Sequence, residues 1–127
     1  MGEYIKIIGG KYFHQPATVM GKEYQKSSYQ HDLNISVEVL NPAHPVTKGL
    51  TDFTVFDEAY YDFYVEPEVT PLLKTSDENA STLSGWTKQY GKARVVTIQT
   101  GHDSHAFHHP NYRKLVEQSI LWVFTGR

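Results

Sequence analysis

From Ala93 to Gln99 the chain reads Ala-Arg-Val-Val-Thr-Ile-Gln, with Val95, Val96 and Ile98 leaving no polar face until Thr97 and Gln99, and it closes on Thr100-Gly101. A short run apolar on both sides needs cover on both sides, which predicts a buried central strand rather than a surface one. Downstream, Pro110 suits a first helical position, and Tyr112, Leu115, Val116, Ser119, Ile120 and Val123 recur at helical spacing before Gly126. That stripe predicts a terminal helix laid over a sheet, and the pairing of strand, turn and covering helix puts the chain in the α/β class.

Upstream, Glu3 to Ile8 ends at Gly9-Gly10, as a short helix stopped by a glycine cap would. Asn34 to Leu40 alternates, with Ile35, Val37 and Val39 on one face, and Asn41-Pro42-Ala43-His44-Pro45 ends it in a turn. Phe53–Phe56 and Tyr61–Val65 predict two short strands flanking Asp57-Glu58. Val69–Lys74 predicts another, placed at a sheet edge by Pro71, and Thr75–Ser84 predicts a polar loop. The 127 residues suffice for one domain with a core, and we read positions 1–127 as a single unit.

Chemistry is sought first after a buried strand, since open α/β sheets bind ligands beyond the carboxyl ends of their strands. Gly101-His102-Asp103 occupies that place: glycine permits the turn, an imidazole serves as general acid, base or ligand, and a carboxylate can orient it. His105, His108 and His109 follow closely. With no cysteine in the chain, a divalent metal would have to rest on such imidazoles, although no spaced ligand signature accompanies them. Asp57-Glu58 beside Tyr60-Tyr61 is the second constellation, because carboxylates bond sugar hydroxyls while aromatic rings stack on sugar faces; alternating aromatics also serve ordinary cross-strand packing. His14 and His44 lie beside prolines in turns, and Tyr24, Tyr29 and His31 lie in a polar stretch that reads as a loop. Walker, dinucleotide and Gly-x-Ser-x-Gly motifs are missing, so nucleotide and serine-hydrolase chemistry have no support. The net charge of −2 speaks against nucleic acid as a partner, and without an apolar leader or span the sequence predicts a cytoplasmic protein with no membrane role.

Ile7-Ile8-Gly9-Gly10-Lys11-Tyr12-Phe13-His14, then His44-Pro45-Val46-Thr47-Lys48-Gly49-Leu50, then Tyr90-Gly91-Lys92-Ala93-Arg94-Val95 with Gly101-His102-Asp103 and Ile120-Leu121-Trp122 stand in one order. With Asp57-Glu58 and Tyr60 between them, they make the chain resemble the trehalose-utilisation (ThuA-like) family. Ala93 stands where the family usually has glycine, and Val96-Thr97-Ile98 replaces a more aromatic strand. The resemblance implies a flavodoxin-like sheet of the class I glutamine amidotransferase superfamily without the glutaminase apparatus, here incomplete because the N-terminal strands are missing. It implies a role in sugar or disaccharide metabolism with a small carbohydrate as ligand.

Combining the resemblance with the local reading, the expected site has His102, Asp103 and Glu58 as catalytic groups, His14, His44, Tyr60 and Tyr61 as substrate contacts, and His102, His105 and His14 as candidates for a divalent metal. A non-catalytic carbohydrate-binding module, or a fragment without independent activity, is the alternative. Two helices cannot cover a wide sheet, so either an upstream half or a second copy of the chain is expected to shield the remaining face.

Overall fold

A computed structural model describes residues 2–127. The elements are α1 (Gly2–Ile8), β1 (Gly10–Lys11), β2 (Ala17–Val19), β3 (Lys22–Tyr24), β4 (Ser28–Val39), β5 (Phe53–Tyr61), β6 (Tyr64–Val65), β7 (Thr70–Ser76), β8 (Ser81–Tyr90), β9 (Ala93–Ile98), α2 (Ser104–His108) and α3 (Pro110–Thr125). A curled five-stranded sheet, ordered β5-β4-β7-β8-β9, forms the body, with helices packed on it and β1-β6 and β2-β3 as small ribbons. This mixed α/β architecture fits part of a flavodoxin-like fold.

All pairings within the main sheet are antiparallel. The apolar run at 93–98 is an edge strand, not a central one. Its two-sided apolarity has another cause: helices lie on it. Thr97 Oγ1 donates to the carbonyl of Ile8 at the end of α1 (3.2 Å), and Arg94 Nε donates to the carbonyl of Trp122 in α3 (2.8 Å).

The stretch read as a polar loop at 75–84 contains the turn from β7 and the start of β8. Hydroxyls face each other across the two strands, Thr75 with Thr82 and Ser76 with Ser81, and such pairs support a sheet without an apolar signature. Pro71 lies in an internal strand, tolerated because the register shifts beside it. Phe53–Tyr61 is one continuous strand, and Asp62 at φ 58° breaks it before Tyr64-Val65 pairs with β1.

Leu33, Ile35, Val37, Val55, Ala59, Leu72, Leu73 and Leu115 form the main core. Pro110 opens α3 and Gly126 caps it in the left-handed conformation, as the sequence predicts. The predicted stripe is only half used: Leu115 and Ser119 are buried, whereas Ile120 and Val123 are exposed beside Leu121 and Phe124. No helix among the described residues is long and apolar enough to cross a membrane.

Candidate functional site

Strand β5 carries two adjacent carboxylates to opposite faces of the sheet, as strand geometry requires. Asp57 is fully buried, and its two oxygens accept the backbone N–H groups of Gly101 (2.7 Å) and Asp103 (2.9 Å). It thereby ties down the turn that bears His102. Gly101 stands at φ +116°, where a Cβ would also collide with the Tyr112 hydroxyl, so glycine is required there. Burial, and secondarily the Asp57 charge, raise the Tyr112 phenol.

Glu58 faces the other way and meets two imidazoles. His31 Nδ1 lies 2.6 Å and His102 Nε2 3.1 Å from its Oε2, with Glu58 7% exposed and the histidines about half exposed. By distance these are ion pairs, yet Oε2 has no partner in hydrogen-bond geometry. A carboxylate oxygen needs an N–H directed at it to be satisfied, and proximity of the two rings alone does not supply one. The His31 and His102 rings stand 5.2 Å apart.

A bulge brings His31 there. Gln30 pairs with Ala59 and Leu33 with Asp57, so His31 and Asp32 together oppose Glu58. Asp32 takes φ +59°, a left-handed conformation that aspartate tolerates better than most residues. Because of the extra residue, Leu33, Ile35 and Val37 face the core while Tyr29 and His31 lie on the Glu58 face.

Tyrosines surround the cluster. Tyr60, two residues beyond Glu58, has its phenol pushed up to about 12 by burial, then by the Glu58 charge and the hydrogen bond to that carboxylate. It is therefore a neutral donor at ordinary pH. Tyr12 packs edge-on to Tyr60 at 6.2 Å and Tyr29 edge-on to His31 at 5.2 Å. The Tyr12 phenol is raised by burial, then by Tyr29 and Glu58. Behind them, Glu58, Ser84 and Thr100 line a cavity of about 10 Å³, with Ser84 Oγ and Thr100 Oγ1 also unpartnered.

Of the residues singled out from sequence, Glu58, His102 and Tyr60 come together, and His14 borders them through Tyr12, 5.2 Å ring to ring. The others lie elsewhere. Asp103 caps α2, accepting from the His105 backbone (2.8 Å) and lying 2.6 Å from His105 Nδ1; those two contacts, the backbone one first, hold its carboxyl below the usual range. His105 is thus paired with Asp103 rather than turned to Glu58. His44 packs on Trp122 at 5.0 Å and accepts the Val46 N–H through Nδ1 (3.1 Å), and burial lowers its pKa. The Tyr61 hydroxyl donates to Asp77 Oδ2 (2.8 Å) at the β7–β8 turn. Sequence reasoning missed His31 as a partner of Glu58, Tyr12 and Tyr29 as its rim, and Asp57 as the anchor of the turn.

Two larger cavities, each about 470 Å³, lie away from this cluster. One is bounded by α1, the β2–β3 ribbon and Tyr64; its Lys88 and Glu66 pair with each other. The other is an open apolar groove along α3 beside Phe107 and Ile120. Among the described residues neither cavity is lined by a buried polar atom without a partner, so the Glu58 cluster is the better candidate despite its open form.

The family model described as trehalose utilisation, ThuA, matches residues 2–123. Among solved structures, a ThuA-like protein from Parabacteroides merdae ATCC 43184 superposes with a TM-score of 0.79 at 18% identity, over 98% of this chain and 55% of that one. A ThuA-like protein from Bacteroides uniformis ATCC 8492 gives a TM-score of 0.66 at 20% identity, over 97% and 51%. The chain spans about half the length of these solved relatives. No functionally curated protein matches it. A family match running through nearly the whole described chain, with the same fold in both structures, makes this chain a member of the trehalose-utilisation (ThuA) family.

Proposed function

We propose that the Glu58 face binds a disaccharide of the trehalose type and that His102 acts on it as general acid or base. The observation that carries this reading is the convergence of a buried carboxylate and two half-exposed imidazoles inside a ring of tyrosines. Carboxylate and phenol suit sugar hydroxyls, and the rings of Tyr12, Tyr29 and Tyr60 suit the apolar faces of a pyranose. An imidazole exposed on one side and anchored by its backbone on the other can move a proton to or from a bound hydroxyl. Membership of the family supports a role in sugar metabolism, and the choice of disaccharide belongs to this proposal.

A second reading is favoured by the openness of the face: a non-catalytic carbohydrate-binding module. The exposed Ile120, Leu121 and Phe124 fit further protein, an upstream half or a second copy, packed against residues 1–127 in the working molecule. Calorimetric titration with trehalose and a panel of disaccharides tests the binding claim. Saturable binding to the wild type, weakened at least about tenfold in His102→Ala, or about 1.4 kcal/mol, is expected. Binding indifferent to His102, or none across the panel, would remove the proposal. Turnover lost in the same variant separates enzyme from module.

A further inference from the structure

The contact between Glu58 and its two histidines is not that of a hydrogen-bonded triad. Two ring nitrogens approach one carboxylate oxygen at 2.6 and 3.1 Å, and that oxygen is buried without a donor in hydrogen-bond geometry. Leaving a buried carboxylate oxygen in that state is unfavourable. The backbone adds a further, smaller cost, since Asp32 sits in the left-handed region where it presents His31. An arrangement that is unfavourable twice over in the protein alone is accounted for by something that the three side chains hold together.

We infer that His31 Nδ1, Glu58 Oε2 and His102 Nε2 form the protein half of a site for a divalent transition-metal ion of the zinc class. The three donor atoms all lie within 4.8 Å of one another. Two imidazole nitrogens and a carboxylate oxygen are the donor set of open zinc sites; magnesium and calcium prefer all-oxygen shells. Tetrahedral bonds of about 2.0–2.1 Å place ligand atoms about 3.3 Å apart, so the His31 contact opens by about 0.7 Å and the His102 contact by about 0.2 Å to admit the ion. His31 and His102 are half exposed and free to turn by that amount, whereas Glu58 is fixed. The remaining coordination positions face the open side ringed by Tyr12, Tyr29 and Tyr60, where the proposed sugar would lie. This inference rests on the reading of that site given above and adds a Lewis acid that polarises an oxygen of the bound ligand.

The test is calorimetric titration of zinc into the untagged, chelator-stripped chain, with thermal melts confirming that each variant is folded. One equivalent bound by the wild type is expected, with affinity falling at least about 100-fold in His31→Ala and in His102→Ala, beyond the loss usual for merely supporting residues. His105→Ala, outside the cluster, retains wild-type affinity. Absence of stoichiometric zinc binding, or affinity unchanged in His31→Ala and His102→Ala, overturns the inference. Repeating the disaccharide titration with and without zinc separates the two claims. Zinc bound with no sugar response removes the sugar reading alone. Sugar bound equally well by the stripped wild type and by His31→Ala, with no zinc taken up by either, removes the metal site alone.

Discussion

Asp57 and Glu58 are neighbours in sequence and opposites in circumstance. On the core side, both Asp57 oxygens are taken by backbone N–H groups, and the result is a fixed turn. On the other side, Glu58 is almost as deeply buried, yet Oε2 meets only imidazole nitrogens outside hydrogen-bond geometry. A satisfied buried carboxylate builds structure, and an unsatisfied one calls for an explanation. The two faces of β5 divide the labour: one positions His102, and in the function proposed above the other uses it.

Asp57→Ala breaks this arrangement most severely. It leaves the N–H groups of Gly101 and Asp103 without their acceptor and frees the turn that bears His102. We expect a loss of about 3 kcal/mol or more in denaturant melts, with weakened zinc binding. A variant with wild-type stability and zinc affinity would show that Asp57 does not fix the turn.

A much smaller effect sharpens the contrast among the histidines. His44 accepts the Val46 N–H and is held neutral by burial, so its folded pKa lies below the ordinary 6.5. The unfolded chain then binds the proton more readily than the folded one between those two values. Its stabilising contribution is complete above pH 6.5 and is drawn down as pH falls toward the lower folded value. Proton NMR of the imidazoles should give a His44 midpoint below 6.5 that does not respond to zinc. A midpoint at or above 6.5, or a zinc response, would contradict the assignment of His44 to the fold rather than to the site.

Part of this was legible in the sequence. Pro110 and Gly126 bound α3 because both act through the local backbone, and Ile35, Val37 and Val39 mark their strand by alternation alone. Gly101, His102 and Glu58 stand out because turn chemistry and acid-imidazole pairs are local signals. His31 was hidden by the bulge: counting back by twos from Ile35 assigns it to the core face, and only the left-handed Asp32 corrects the count. An aspartate inside an alternating stretch is the one hint the sequence holds. Strand β8 was hidden because its opening hydroxyls are satisfied across the sheet, a partnership that composition does not encode. The antiparallel order and the edge position of β9 depend on which elements meet, and helix cover mimics strand cover in an apolar run.

The most direct test compares the equilibrium stabilities of Asp57→Asn and Glu58→Gln in metal-free protein. Asp57→Asn removes charge-assisted acceptance from a backbone turn and should cost about 2–3 kcal/mol. Glu58→Gln removes a buried charge whose Oε2 has no hydrogen-bond donor and should cost less than about 0.5 kcal/mol, or stabilise the chain. Equal losses in the two variants, or a larger loss in Glu58→Gln, would contradict the division of labour between the two faces of β5.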